Sequence, residues 1–145
     1  MSNLAELGNT PFILQAEEAM RNMIHLHIHS EPKHYKIKGV YVRELFIPAG
    51  TLLTGKIHNF ESIGVLSQGA LRITNGETSI VVSAPYITID KPGIKRLGYA
   101  ETDCTFLCIH RTDCETVEEM EHELVSETFE EYEQKTQNLL SKETL

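Results

Sequence analysis

The chain has 145 residues, enough for one ordinary domain with its own core and too few for two. Hydrophobic residues make up 41% and charged residues 23%, which excludes a chain that is disordered throughout. The net charge of −8 is uneven: residues 113–145 carry 11 acids against Lys135 and Lys142, whereas residues 1–112 carry 10 acids and 11 bases. Such an acidic tail repels phosphates, so nucleic acid is not an expected partner. The tail reads as the solvated face of a helix, or more sharply as a surface for a basic partner. No apolar run approaches the ~18 residues of a membrane span. The start, MSNLAELGNTPF, lacks the basic-then-apolar order of a secretory signal. Three cysteines, Cys104, Cys108 and Cys114, imply no disulfide framework and suit a reducing, cytoplasmic setting.

In chain order, residues 10–23 are predicted as a helix, with Thr10 as a cap and Pro11 at the first helical position. Ile24, Leu26 and Ile28 then alternate with His25, His27 and His29, the pattern of a half-buried strand. Those histidines fall on its polar face, which suits solvent or a subunit contact better than a metal. With His34 nearby, a pH-sensitive interface is a further reading. Residues 37–47 resume the alternation as IKGVYVRELFI. Turn signals follow at Pro48-Ala49-Gly50, Gly55, Gly64, Gly69, Asn75-Gly76, Pro85 and Pro92-Gly93. Between them lie TLLTGKIH, IGVLSQ, ALRIT, TSIVVS and YITID, and CTFLCIH comes last. Asn75-Gly76 predicts a tight hairpin. Many short strands at this spacing predict a sandwich or small barrel. Residues 114–142 return to helical period, with Val117, Met120 and Leu124 as a stripe and Thr128 with Glu131 as a capping box.

The stretches IPAGTLLTGKIHNFESIGVLSQGALRI and SAPYITIDKPGIKRLGYAETDCTFLCIH resemble the two motifs of the cupin superfamily, the RmlC-like jelly rolls. The IPAGTLLTGKIH, APY and KPGIKR elements, with the acidic helical end, also resemble small phage-encoded cupin-like proteins of unknown function. The resemblance implies a mainly β, single cupin-like double-sheet β-barrel over residues 24–112. An N-terminal helix (10–23) and an acidic helical segment (113–145) complete one domain, 1–145. It also implies a homodimer.

Carried over position by position, the resemblance puts His58 at the first ligand of the first motif. Phe60 stands where the second histidine belongs, Ser62 where the glutamate belongs (with Glu61 adjacent), and Lys95 where the histidine of the second motif belongs. A three-histidine, one-glutamate centre is therefore not implied. A divalent transition metal would instead draw on His58, on Glu61 if it turned inward, and on His110 at the end of the last strand, whose face it shares with Cys104, Phe106 and Cys108. Cys104 and Cys108 themselves read as core residues, with no neighbouring base to lower a thiol pKa.

Arg43, Arg72, Lys95 and Arg96 gather on strands and turns around the expected pocket and suit a small anionic ligand such as a carboxylate or phosphate. Tyr41, Tyr86 and Tyr99 would line the same space. The competing readings are strand-end surface charge and ordinary core packing. Three functions stay open. The one favoured by the lost ligands is a non-enzymatic binding or interaction protein, with a host protein or small anion as partner. The others are a metal-dependent enzyme of oxygenase or isomerase type and a virion component. Fold alone does not choose among them.

Overall fold

Alternation of apolar and polar residues gives each strand one face to bury, and the short runs between turns pair into two sheets. The computed structural model describes residues 10–21, 31–74 and 78–143. The elements are α1 (Thr10–Arg21), β1 (Lys33–Ile37), β2 (Gly39–Ile47), β3 (Leu52–Thr54), β4 (Ile57–His58), β5 (Ser62–Gln68) and β6 (Ala70–Thr74). They continue as β7 (Ser79–Ser83), β8 (Tyr86–Asp90), β9 (Leu97–Ala100), β10 (Cys104–Thr112), α2 (Val117–Leu124), β11 (Val125–Ser126) and α3 (Phe129–Glu143).

One sheet has the order β1-β2-β10-β5-β8, the other β3-β9-β6-β7, and β11 pairs with β4 as a separate ribbon. All pairings are antiparallel. With the edge strand β1 set aside, β2-β10-β5-β8 opposite β3-β9-β6-β7 is the eight-stranded, double Greek-key order of a jelly roll. The fold is thus mainly β, with helices outside it, as the sequence predicts. The expected barrel is open: among the described residues no ladder joins the two sheets, so the jelly roll is a two-layer sandwich with edges.

The inner faces meet at two clusters. Ile47, Leu66, Leu71, Ile73, Val82, Ala100 and Cys104 fill one end. Tyr41, Met120 and Leu124 fill the other, where α2 lies over the open end of the sandwich. Burying Met120 and Leu124 contributes about 1.5–3 kcal/mol each and fixes that helix in place. Thr116 caps α2 through a bond from Glu119 N to its Oγ1 (3.2 Å). The Thr128 cap of α3 forms as predicted, with Glu131 N donating to Thr128 Oγ1 (3.1 Å), while the Glu131 carboxylate accepts from Glu127 N (3.0 Å). Among the described residues no helix is long and apolar enough to cross a membrane.

Several local expectations change. The stretch 37–47 is not one strand: Gly39, at φ +84°, turns the chain, and β1 runs back along β2 with Ile37 paired to Val40. The β6–β7 hairpin forms, pairing from Ala70 with Ser83 to Thr74 with Ser79. The strand β9, LGYA, forms where the sequence carries no strand signal. The predicted strand carrying His25, His27 and His29 lies outside the described residues, as do Asn75 and Gly76.

Candidate metal centre and ligand cavity

Strand β10 places Phe106, Cys108 and His110 on its inward face, and neighbouring strands extend each position into a row. Arg43 on β2 pairs with Cys108, which pairs with Gly64 on β5, which pairs with Thr88 on β8. One step toward α2, Tyr41 pairs with His110, and Ser62 with Asp90. One step the other way lie Leu45, Phe106, Leu66 and Tyr86. The inner face therefore grades from apolar to polar toward the end covered by α2. Gly64 is needed in its row: a Cβ there would sit 2.8 Å from Phe106 Cζ and 3.1 Å from Asp90 Oδ2.

Between the sheets is a cavity of about 280 Å³. Its polar wall is Arg43, His58, Asp90, Arg96, Cys108 and His110; Leu45, Ile47, Leu53, Leu71, Ile73 and Phe106 line the apolar part. Met120, Glu121, Leu124 and Val125 cover it.

His58 enters from β4 and is held from several sides. Its Nδ1 is 2.8 Å from Ser62 Oγ, which leaves Nε2 for a ligand. Its carbonyl accepts from Gly93 N (2.9 Å), and its strand pairs with β11, Val125 opposite His58. Asn59 N donates to Leu124 O at the end of α2 (2.8 Å). The His58 and His110 rings lie 5.1 Å apart, edge to face. A nitrogen of each and the Cys108 sulfur all lie within 4.8 Å of one another.

Burial sets the protonation of this cluster. It pushes His58 down to about 4, helped by the Arg96 and Arg43 guanidiniums. It pushes His110 down to about 4 as well, helped by His58 and Arg43. The Cys108 thiol is pushed up to about 11, first by burial and then by the Asp90 carboxylate. At neutral pH both imidazoles are uncharged and hold free lone pairs, the form that ligates metal.

The donor set fits a transition metal. Four-coordinate zinc takes donors at about 2.0–2.3 Å, hence about 3.3–3.8 Å from one another, which small side-chain rotations reach from the observed spacing. Two imidazoles and a thiol are soft enough to favour zinc, copper, iron or cobalt over magnesium or calcium.

Sequence reasoning named His58 and His110, and the fold brings them together. Glu61 is exposed and lies outside the cluster. Cys108, read as core, stands beside them as a third candidate donor; its spacing of two from His110 on one strand is the available signal. Of the expected pocket residues, Tyr41, Arg43 and Arg96 line the cavity. Arg96 Nη2 forms an ion pair with the buried Asp90 Oδ1 at 2.9 Å, outside hydrogen-bonding alignment. Lys95, Arg72, Tyr86 and Tyr99 do not line it. Lys95 is buried against Glu17 of α1 at 2.9 Å. Arg72 pairs with Glu101 at 2.6 Å and bonds Ser79 Oγ at 3.0 Å, both at the surface. Tyr86 packs on the apolar cluster, and Tyr99 is exposed.

No protein-family model matches the chain, and no curated protein matches it. Solved structures do, and several of them are described as cupin or RmlC-like proteins. A cupin-2 domain protein from Shewanella frigidimarina is 13% identical, with 64% of this chain and 92% of that one covered at a TM-score of 0.48. An RmlC-like cupin protein from Ralstonia eutropha is 21% identical, with 55% and 54% covered at 0.46. An acetylacetone dioxygenase from Acinetobacter johnsonii is 14% identical, with 55% and 58% covered at 0.46.

Proposed function

We propose that this jelly-roll chain is a metal-dependent protein that holds one divalent transition metal on His58, Cys108 and His110 and receives a small organic molecule in the adjoining cavity. The observation that carries the reading is the convergence of the three donors from β4 and β10 at the wall of that cavity. A metal there supplies Lewis-acid or redox chemistry to whatever occupies the cavity. The protein's own residues have separate tasks. Ser62 orients the His58 ring through Nδ1. Cys108 gives up its thiol proton on metal capture, so binding releases a proton. The apolar wall and α2 exclude bulk water.

The test is metal content by inductively coupled plasma mass spectrometry on untagged protein, with Co(II) titration as a second readout. About one metal per chain is expected, with a thiolate-to-cobalt charge-transfer band lost in Cys108→Ser. His58→Ala and Cys108→Ser are each expected to weaken retention at least about tenfold. Wild-type protein that retains no added metal, or variants with unchanged content, would overturn the assignment. The second reading is ligand capture with no metal. It is favoured by Arg43, which lines the cavity with no ion-pair partner among the described residues and needs no metal to hold an anion. It predicts that ligand affinity survives chelation with EDTA.

A further inference from the structure

Arg43 is the unusual group in the cavity. It lies on the polar wall beside Cys108, and no carboxylate among the described residues forms an ion pair with it. Arg96, across the cavity, has Asp90 as its counter-ion, yet its Nε is buried without a hydrogen-bond partner. At the exposed rim Lys56 and Lys91 stand against Glu121, and further in two guanidiniums face the one carboxylate of Asp90, in a space otherwise lined mostly by hydrocarbon. A divalent metal on His58, Cys108 and His110 would add further positive charge, offset only by the thiolate. Low-dielectric surroundings make such an excess costly unless an anion neutralises it.

The geometry points to that anion: a small monocarboxylate with an apolar body, its head group on Arg43 and the Nε edge of Arg96, its body toward Leu45, Leu53, Leu71, Ile73 and Phe106. The metal part of the charge argument rests on the reading above; the unpaired guanidinium does not. A carboxylate fits better than a phosphate for two reasons. Its planar oxygens match a guanidinium fork. It also carries one charge rather than nearly two into a space with a large hydrocarbon wall, Leu45, Leu53, Leu71, Ile73 and Phe106. Size agrees as well: a cavity of roughly 150 Å³ holds benzene, so about 280 Å³ has room for a medium-chain or aryl carboxylate.

The experiment is isothermal titration of the full chain, once EDTA-treated and once zinc-loaded, with octanoate, octanamide and inorganic phosphate. Octanoate is expected to bind at least about tenfold more tightly than octanamide, since the neutral amide has the same body without the charge. Phosphate is expected not to compete. Arg43→Gln is expected to remove about tenfold of the octanoate affinity and little of the octanamide affinity. Equal affinity for octanoate and octanamide would overturn the proposal, and so would competition by phosphate or no octanoate binding in either form. The octanamide comparison uses unaltered protein, so it decides even if Arg43→Gln folds poorly. The two readings fail separately. Octanoate discrimination in EDTA-treated protein that retains no zinc would sink the metal centre alone. Zinc retention without discrimination would sink the carboxylate alone.

Discussion

His58 and His110 are buried far enough that neither holds a proton near neutrality, and this has a cost at lower pH. Each is pushed down to about 4, whereas an unfolded histidine titrates near 6.5. Between those values the unfolded chain takes up protons that the folded one refuses, so stability rises with pH across the window and falls as acid is added. Metal-free protein is therefore expected to lose thermal stability between about pH 7 and about pH 4.5. The loss these values imply, about 2 kcal/mol per histidine, lowers Tm by about 6 °C each. Calorimetry in EDTA at both ends of the range measures it, and His58→Gln should flatten the dependence. An identical Tm at both ends would show that the imidazoles are solvated. Cys108 was hidden from sequence reading by chemistry rather than position. A cysteine on an apolar strand is usually core, and only the approach of His58 from β4 makes it a candidate donor.

The elements are joined by a few specific contacts, and α1 depends on one of them. Lys95, with its side chain 5% exposed, reaches Glu17 Oε2 at 2.9 Å, and Thr54 Oγ1 donates to the same oxygen at 2.8 Å. Removing one partner leaves a buried charge without its mate, which costs about 3 kcal/mol, whereas replacing both with apolar residues is close to neutral. Glu17→Leu is therefore expected to lower the urea midpoint sharply, and Glu17→Leu with Lys95→Met to restore most of it. Additive losses in the double variant would mean that the pair does not couple. The resemblance set Lys95 at a ligand position, but its turn aims the ammonium at α1 instead. Legibility of the elements followed their patterning. The strands β5 to β8 and β10 are short apolar, β-branched-rich runs between turn residues. The strand β1 (KHYKI) is an exposed edge with polar residues at most positions, and β9 (LGYA) is short and contains a glycine, so neither carried a strand signal. Glu61 missed the site because β5 begins at Ser62, whose side chain is the buried one of the two.

At the scale of the whole molecule, the outer face of the five-stranded sheet stands out. Ile37, Ile87 and Ile89 are 70%, 68% and 61% exposed, and Tyr35, Phe46 and Ile63 extend the patch across four strands. Five strands at about 4.8 Å and about six residues at about 3.4 Å give a face roughly 20 Å square. That is a large part of the ~800 Å² per partner that a stable association needs, and a monomer seldom leaves such a surface bare. The homodimer expected from the sequence is accordingly predicted to use this face. Light scattering should give a dimer at tens of micromolar, and Ile87→Glu with Ile89→Glu a folded monomer. A wild-type monomer at that concentration would refute it. The jelly-roll order was legible because turns and alternation are local signals. The cavity was not, because it depends on which strands the Greek key makes neighbours. One consequence follows from the ribbon of β4 and β11. The cover of the cavity and the strand bearing His58 are hydrogen-bonded into one piece, so a guest that entered by parting that wall would also loosen His58. Were a metal held there, a tightly bound guest would then make it slow to leave, and an empty cavity would make it easy to strip.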